Sequence, residues 1–356
     1  MSTLLNLQIL GASYGLLFSI KALLAGHNVR VVCTEAEASL IEHEGIQVAL
    51  PGVGNAAPIT LCSRNLPGQL SATTPDRADL NELDLVVFAI QEPQYRVPEL
   101  RSLLRRIATA ELPCLSIMNM PPLPFLSRFA SIDYKTCVDA YTDASVWSDF
   151  NPDLVTHCSA DPQAVRPPSG ALNTQQVKLP TNFRAAPFVH AEHTDKLSTL
   201  AASIQAVSRG SDAGVAPTPV KLKVSPSLYT GLSKLPMLIT GNYRCVQSSG
   251  IRSIKEAVHA DLALSRTIYQ SISTLLQRIG CPYDALVPFE KYATAACALK
   301  APSSAARALE RGVTDIERVD CLVQLLAQQC HTTISVLDDI IEQNDAWLSN
   351  NRTAVT

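Results

Sequence analysis

The sequence of 356 residues predicts an α/β domain with a parallel sheet, followed by an all-helical domain. Short apolar segments alternate with amphipathic segments through the first 125 residues, which is the pattern of parallel strands joined by helices. Beyond residue 225, apolar residues recur at helical spacing over long segments. At about 150 residues per domain, the chain is long enough for two domains, each with a buried core.

The composition excludes several classes of protein. Apolar residues make up 47% and charged residues 17% of the chain, which is too apolar for a disordered protein. A net charge of -3 and an aromatic content of 5% argue against nucleic-acid binding. No segment has the apolar length of a membrane span, and the ten cysteines lack the spacing of zinc ligands. We therefore expect a cytoplasmic protein that binds neither a membrane nor nucleic acid.

The first 35 residues predict a strand, a tight turn, a helix and a second strand. The strands are Leu5–Leu10 and Val29–Cys33, and the turn between the first strand and the helix is Gly11-Ala12-Ser13-Tyr14-Gly15. In Rossmann-type domains such a turn approaches the pyrophosphate of a dinucleotide, which then lies at the helix N-terminus. The sequence therefore predicts cofactor binding by Gly11, Ser13, Tyr14 and Gly15. The alternative is that the two glycines serve only a βα turn.

Polar residues follow three of the predicted strands at their carboxyl ends, where α/β domains bind ligands. They are Thr34 and Glu35 after the second strand, Gln91 after the buried strand Asp84–Ile90, and Asn119 after the strand Cys114–Met118. Glu35 is a candidate for holding the ribose hydroxyls, but a solvated acid at the start of the next helix would look the same.

The remainder of the chain predicts a strand-rich extension and then helices. Residues 145–190 predict antiparallel strands that extend the first domain. The helices are predicted at Thr194–Val207, Leu228–Val246 with a kink at Pro236, Ile254–Ile279, Phe289–Leu299, Asp315–Gln329 and Ile334–Leu348.

Two residues of the helical half are candidates for chemistry. Lys234 lies in an apolar run, where loss of hydration would lower its pKa and make it a proton donor near neutral pH. It could equally extend its amine to the surface. Asn242 lies eight residues later, near the same face of a helix. Asp315 would by default be an acid favoured by a helix N-terminus, and His190-Ala-Glu-His193 lacks a third ligand, so we predict no metal site.

Taken together, these features resemble the ketopantoate reductases (2-dehydropantoate 2-reductases) of the 6-phosphogluconate-dehydrogenase-like group. The order of elements is similar over the first 125 residues and over 225–345, whereas 130–220 is longer than usual. The family's Lys-x-x-x-Asn-x-x-x-Asn run is similar to the segment that begins at Lys234, with Leu238 and then Asn242 at the two asparagine positions. Its Asn-Gly motif resembles Asn119-Met120, its late serine Ser303, and its late glutamate Asp315.

The resemblance implies a Rossmann-type domain over 1–224, including the divergent extension at 130–220, and a helical substrate and dimerisation domain over 225–356. It implies an NAD(P)H-dependent oxidoreductase that transfers hydride to the ketone of a small 2-oxo acid or related carbonyl. Lys234 would be the general acid, with Asn119 and Asn242 orienting nicotinamide and substrate. Ser303 and Asp315 would hold polar groups of the substrate, and a homodimer is a candidate assembly.

The implied cofactor is NADP(H) or NAD(H). Thr34 and Gln91 stand where many members of the family carry basic residues, so neither supplies a cation for a 2′-phosphate. NADH is then an option, with Glu35 on the ribose. Two alternatives remain open: a non-catalytic cofactor-binding sensor or partner protein, and a reductase similar to the opine dehydrogenases, whose His-Asp pair we cannot place in this sequence.

Overall fold

The computed structural model describes residues 3–167, 170–209 and 217–355. The chain divides into two compact units. The first unit comprises Met1–Ile90, Gln94–Met118 and Val146–Gly231, and the second comprises Gln91–Pro93, Asn119–Ser145 and Leu232–Thr356. The predicted combination of a parallel α/β domain and a helical region is confirmed.

The division differs from the boundary expected at residue 224, because residues 119–145 belong to the second unit. This segment is fastened there by hydrogen bonds. The side-chain amide of Gln329 donates to the carbonyl of Asp133 at 3.1 Å and to Thr136 Oγ1 at 2.7 Å, and the Ser131 hydroxyl donates to the carbonyl of Ile279. The segment is made of short helical turns, so sequence periodicity gave no indication of where it packs.

Eight strands form the central sheet of the first unit in the order β12-β11-β8-β7-β6-β1-β2-β5. Neighbouring strands pair in parallel along the series β5, β2, β1, β6, β7 and β8. Strand β11 pairs antiparallel with β8. The strands of this sheet are β1 (Asn6–Leu10), β2 (Asn28–Val32), β5 (Leu70–Thr73), β6 (Leu85–Phe88), β7 (Cys114–Ser116), β8 (Val155–Ala160), β11 (Phe183–Ala185) and β12 (Leu222–Val224).

A smaller sheet of four strands belongs to the same unit and has the order β4-β3-β10-β9. Its strands are β3 (Gln47–Leu50), β4 (Ile59–Cys62), β9 (Gln163–Val165) and β10 (Thr174–Leu179). The strand-rich extension predicted from residue 145 is therefore shared between two sheets. Its first strand, β8, joins the central sheet in parallel, which differs from the antiparallel arrangement we expected, whereas β9 and β10 do pair antiparallel.

The helices of the first unit are α1 (Gly15–Leu24), α2 (Glu35–Glu44), α3 (Pro98–Thr109) and α5 (Ala191–Ser208). All ten residues of α1 are buried, and apart from Ser19 and Lys21 they are apolar or glycine. The central strands β1 and β6 are likewise nearly continuous runs of buried residues, as expected for parallel strands covered on both faces.

The second unit is mainly helical and includes a two-stranded hairpin, β13 (Val246–Gln247) and β14 (Gly250–Ile251). Its helices are α4 (Leu123–Leu126), α6 (Leu235–Met237), α7 (Ile254–His259), α8 (Leu262–Arg278), α9 (Phe289–Ala296), α10 (Ser304–Glu310), α11 (Val319–Gln329) and α12 (Val336–Val355). Among the residues described, none of the helices has the length and apolar character that crossing a lipid bilayer requires.

Two predicted long helices are interrupted. The segment Leu228–Val246 contains a 3-10 turn, the short helix α6, a π-helical turn over Leu238–Asn242 and a second 3-10 turn. Pro236 lies in the first turn of α6, where a backbone N–H would have no helical partner, so its missing N–H costs no hydrogen bond. The predicted helix Ile254–Ile279 breaks before α8, because Asp261 takes an extended conformation and its side chain accepts a hydrogen bond from the amide of Leu264 at 2.8 Å.

Candidate active site

The turn between β1 and α1 has no room for a side chain at either of its glycines. Gly11 has a φ of +112°, and a Cβ atom there would lie 2.5 Å from Ile90 Cγ2 and 2.9 Å from the carbonyl oxygen of Ala89. A Cβ atom at Gly15 would lie 2.8 Å from Ile9 Cγ2. The turn therefore needs glycine for its backbone conformation and its close packing, and the amides at the start of α1 are suited to an anionic group.

Residues around the small sheet hold this turn in place. The side-chain amide of Gln175 donates to the carbonyl of Ser13 at 2.8 Å, and the Tyr14 hydroxyl donates to the carbonyl of Pro162 at 2.6 Å. Burial raises the pKa of Tyr14 well above its usual value, so this hydroxyl remains a neutral donor. The side chain of Tyr14 thus stabilises the conformation of the turn, whereas the side chain of Ser13 is exposed.

Two of the predicted cofactor-binding residues, Thr34 and Glu35, follow β2. Thr34 forms a capping box with Glu37, in which the Thr34 hydroxyl accepts from the Glu37 amide and the Glu37 carboxylate accepts from the Thr34 amide. Glu35 forms an exposed ion pair with Arg77. Thr34 therefore shapes the start of α2, and a cation that the sequence analysis did not identify lies beside Glu35. The only sequence signal for Arg77 was its position shortly after β5, in a loop whose conformation could not be predicted.

The second unit contains a cleft of about 280 Å³, counting space open to solvent. Polar residues from five separate segments of the chain line it: Gln91, Asn119, Asn242, Ser303 with Ser304, and Glu317. Of the predicted site residues, the cleft therefore brings together Gln91, Asn119, Asn242 and Ser303. Gln91 and Asn119 each follow a central strand of the first unit by three residues in the chain.

Asn119 connects an ammonium group and a carboxyl group at the wall of this cleft. Its Oδ1 accepts a hydrogen bond from Lys234 Nζ at 3.2 Å, and its Nδ2 donates to Glu317 Oε2 at 3.3 Å. Lys234 is partly buried. Its hydrogen bond to Asn119, a residue that follows β7, connects its ammonium group to the cleft.

Glu317 is a buried carboxyl group that lines the cleft. Burial is the main cause that raises its pKa to about 7, and hydrogen bonds from the backbone amide of Glu92, the side chain of Asn119 and the backbone amide of Met120 act in the opposite direction. The hydroxyl of Tyr243 donates to the carbonyl oxygen of Glu317, which fixes the backbone at this point. Because its pKa lies near neutrality, Glu317 is able to donate or accept a proton at physiological pH.

Asp315, which the sequence analysis selected as the late acid, has other contacts. Its carboxylate accepts from Arg352 Nη2 at 3.1 Å and from Thr314 Oγ1 at 3.1 Å, and it does not line the cleft. The acid in the cleft is Glu317, two residues further on. The helix predicted to start at Asp315 begins instead at Val319, so residues 314–318 form an irregular segment in which helical periodicity was the wrong guide. The available sequence signal was weak: Ile316 and Val319 flank the charged pair Glu317-Arg318.

Ser303 and Asn242 are joined to each other. The buried hydroxyl of Ser303 donates to the carbonyl of Asn242 at 2.7 Å and accepts from the amide of Ala306 at 3.2 Å, so that Ser303 is the N-cap of α10. The π-helical turn places Asn242 in the cleft wall. Both residues therefore line the cleft, and the Ser303 hydroxyl also fixes the position of that wall.

Part of the cleft wall is apolar. Leu238, which is 1% exposed, lines the cleft together with Ile316 and Ala305. Leu238 stands where the resembling family carries an amide. A polar group of a ligand placed against this part of the wall would lose hydration without gaining a hydrogen bond.

The fold is shared with known reductases. The sequence matches no protein-family profile and no curated protein sequence. The structure is similar to that of a 2-dehydropantoate 2-reductase (ketopantoate reductase) from Methylococcus capsulatus, with a TM-score of 0.64, 16% identity and coverage of 98% of this chain and 98% of the other. A probable 2-dehydropantoate 2-reductase from Bacillus subtilis has a TM-score of 0.59 and 17% identity, and the match covers 96% of this chain and 100% of the other. A D-mandelate dehydrogenase with NADH and anilino(oxo)acetate has a TM-score of 0.63 and 11% identity, and the match covers 98% of this chain and 100% of the other. The chain thus has the fold of the ketopantoate reductases.

Proposed function

We propose that this protein is an NAD(P)H-dependent reductase that acts on the ketone group of a small 2-oxo acid or a related carbonyl compound. The hydrogen-bonded series Lys234, Asn119 and Glu317 at the cleft carries this proposal. It supplies an ammonium group that can donate the proton that carbonyl reduction requires, an amide that contacts this group and a buried carboxyl group that can hold the substrate. The fold shared with ketopantoate reductases and D-mandelate dehydrogenase agrees with it.

The first unit provides the expected position for the cofactor. A bound reduced nicotinamide cofactor would supply the hydride. Gly11 and Gly15 allow the turn to pack closely against Ile90 and Ile9, and the amides at the N-terminus of α1 are suited to the pyrophosphate. The exposed Ser13 would add a hydroxyl donor, and Glu35 and Arg77 would lie at the ribose. Whether NADH or NADPH is preferred depends on how that last pair shares the ribose.

The residues of the cleft take distinct roles in the proposed reaction. Lys234 gives a proton to the carbonyl oxygen of the substrate and stabilises the negative charge that develops there. Asn119 accepts a hydrogen bond from Lys234 and so directs its ammonium group. Glu317 holds a polar group of the substrate, in the role that the sequence analysis gave to Asp315. Asn242 and Ser303 form another part of the cleft wall, which the hydrogen bond between them holds in place, and this part also contacts the substrate.

The apolar part of the wall favours a substrate with an apolar side chain. Leu238, Ile316 and Ala305 offer no hydrogen bond to a hydroxyl group on the substrate. A hydroxyl group placed against this part of the wall loses water on binding without gaining a hydrogen bond. We therefore propose that 2-oxo acids with branched alkyl or aryl side chains are reduced better than ketopantoate.

A comparison of two lysine variants tests the proposal. We expect that a screen of 2-oxo acids with NADH and NADPH finds at least one substrate, and that Lys234→Ala lowers turnover by about 10²–10⁴-fold, the usual contribution of a general acid. The affinity for the cofactor should stay nearly intact. Lys255→Ala is the matched control, because Lys255 is an exposed lysine of the same unit.

Two outcomes would contradict the proposal. If Lys234→Ala retained more than about half of the turnover, Lys234 would not be the proton donor. If neither cofactor bound in a fluorescence titration up to about millimolar concentration, the protein would not be a nicotinamide-dependent enzyme, since typical affinities for such ligands are far tighter.

A further inference from the structure

The segment that carries Asn242 into the cleft wall is a π-helical turn over Leu238–Asn242. The backbone amide of Tyr243 donates to the carbonyl of Leu238, five residues earlier, instead of four as in an α-helix. The amide of Leu238 still donates to the carbonyl of Lys234, four residues earlier, at 3.0 Å. The chain therefore changes from an α-helical to a π-helical path between Lys234 and Asn242.

This change of path alters the direction of Asn242 relative to Lys234. Eight residues of a regular α-helix would leave the two side chains about 80° apart around the helix axis. A π-helical turn takes up one extra residue, so Asn242 lies where a seventh residue would lie in an α-helix, about 20° from Lys234. The π-helical turn thus brings to one face two residues that a regular helix would separate.

A glycine and a tyrosine hold this turn from the side. The hydroxyl of Tyr292, on α9, donates to the carbonyl of Met237 at 3.1 Å, directly before the turn. A Cβ atom at Gly241, inside the turn, would overlap with Oη of Tyr292 and would lie 3.1 Å from Ile254 Cγ2. The absence of a side chain at Gly241 therefore allows the hydroxyl of Tyr292 to reach Met237.

The ring of Tyr292 is itself fixed in place. It is buried and stacks on the ring of Tyr269, with the two centroids 5.4 Å apart. Burial raises the pKa of Tyr292 above its usual value, so its hydroxyl remains a neutral donor. At the other end of the turn, the hydroxyl of Ser303 donates to the carbonyl of Asn242 at 2.7 Å. The turn is therefore held by a side-chain hydroxyl at its start and by another at its end.

We propose that Gly241 and Tyr292 act together as positioning residues, which stabilise the π-helical turn and thereby direct the side chain of Asn242 toward the substrate. The contact of Asn242 with a substrate rests on the proposed function. Turns of this kind are rare and are frequently found at functional sites. Neither Gly241 nor Tyr292 needs to touch the substrate, since both act through the backbone that carries Asn242.

An exchange of volume between the two residues tests the pairing. Gly241→Ala places a methyl group where the hydroxyl of Tyr292 lies, so it should displace the turn. Tyr292→Phe removes that hydroxyl and its hydrogen bond to Met237. In the double variant the methyl group occupies the vacated space, because the added Cβ would lie 3.4 Å from Tyr292 Cζ, and Ile254 has to yield only slightly. Gly241→Ala should therefore disturb the turn most, and the double variant about as much as Tyr292→Phe.

NMR spectroscopy of protein labelled with ¹⁵N-asparagine reports on the turn without a substrate or cofactor. The side-chain amide resonances of Asn242 are identified by their loss in Asn242→Asp. They should shift in Tyr292→Phe, shift further in Gly241→Ala and return to the Tyr292→Phe positions in the double variant. The side-chain amide of Asn173, which donates to the carbonyl of Gly45 in the first unit at 2.7 Å, is the internal reference and should not move.

Tyr269→Phe is the matched control, because it removes the hydroxyl of the neighbouring buried tyrosine, which donates to the carbonyl of Val287 at 2.7 Å. It should leave the Asn242 resonances in place. If Gly241→Ala does not fold, a folded double variant shows the rescue directly. The inference is overturned if the Asn242 resonances are unchanged in Tyr292→Phe, if Tyr269→Phe moves them as far, or if the double variant is as disturbed as Gly241→Ala.

The consequence for a substrate is measured separately. With a verified 2-oxo acid, Gly241→Ala should raise KM for that acid by about tenfold, roughly the effect of one lost hydrogen bond, while KM for the cofactor stays within about twofold. The double variant should return KM for the acid to the value of Tyr292→Phe. An unchanged KM for the acid, or equal changes for acid and cofactor, would overturn the role toward the substrate. Because the NMR measurement requires no turnover, its failure is distinguishable from failure of the proposed reductase activity.

Discussion

The glycine turn of the first unit and the polar cleft of the second unit differ in how their residues are brought together. The turn is a single stretch, Gly11–Gly15, whose conformation follows from local backbone rules. The cleft depends on hydrogen bonds that join Asn119 to residues 115 and 198 positions away in the chain. A site made from one stretch leaves its pattern in the sequence, whereas a site made from distant side chains depends on packing that no local pattern reports.

After the loss expected for Lys234→Ala, the largest expected effect concerns the acid of the cleft. Glu317→Gln should lower kcat/KM on a verified substrate by about 10–10²-fold, because a hydrogen bond that involves a charged group is worth about 1.5–3 kcal/mol. Asp315→Asn, two residues away, should cost no more than about threefold, because Asp315 contacts Arg352 and Thr314 outside the cleft. Steady-state kinetics of both variants give the comparison. A greater loss in Asp315→Asn would return the role to the residue that sequence matching selected.

This pair of acids shows how the sequence patterns relate to the cleft. Lys234, Asn119, Asn242 and Ser303 were selected by their place in a recognisable order of elements, and the structure brings them to or next to the cleft. Glu317 was not selected, because its segment was taken for the start of a helix, and α11 begins only at Val319. The choice between two acids two residues apart requires knowledge of the backbone conformation, which amphipathic periodicity did not supply.

The fold was predictable to a similar extent. Strands β1, β2 and β6 and helix α1 follow from apolar runs and a glycine turn, which are local features. The small sheet was not predicted, because β3 and β10 pair across more than 120 residues. The burial of Glu92 could not be predicted either. Its carboxylate accepts a hydrogen bond from Thr142, which lies in a segment of short turns that has no helical or strand periodicity.

The second effect in size sharpens the same comparison from the side of the turn. Gly11→Ala should lower the free energy of unfolding by about 2–3 kcal/mol, because it combines an unfavourable φ with a Cβ atom 2.5 Å from Ile90 Cγ2. Gly26→Ala is the matched control, with a φ of +86° but no atom within 4 Å of the added Cβ, and should cost about 1 kcal/mol.

Chemical denaturation of both glycine variants measures the difference, and titration with NADH and NADPH measures binding. We expect Gly11→Ala to weaken the affinity for both cofactors by at least about tenfold, since the turn must shift to admit the methyl group, and Gly26→Ala to leave it unchanged. Equal losses of stability in the two variants would mean that the close packing of the turn contributes nothing beyond the cost of its backbone conformation.

The smallest expected effect lies at the end of β2, where a local pattern and a long-range contact meet. Glu35 was predicted from its place after the strand, but its partner Arg77 was not. Both side chains are mostly exposed, so their ion pair is worth less than about 1 kcal/mol and is easily exchanged for another partner. A 2′-phosphate would draw Arg77 away from Glu35, whereas ribose hydroxyls would bind Glu35 and leave the pair intact.

Arg77→Ala should therefore lower the affinity for NADPH by about threefold to tenfold and change that for NADH by less than twofold, as expected for one exposed contact to a phosphate. Arg64→Ala is the matched control, because Arg64 is an exposed arginine of the same unit whose side chain donates to the carbonyls of Glu42 and His43. Fluorescence titration with each cofactor gives the two ratios. If Arg77→Ala weakened both cofactors equally, the residue would support the shape of the β2 end, and discrimination at the 2′-position would reside elsewhere in the first unit.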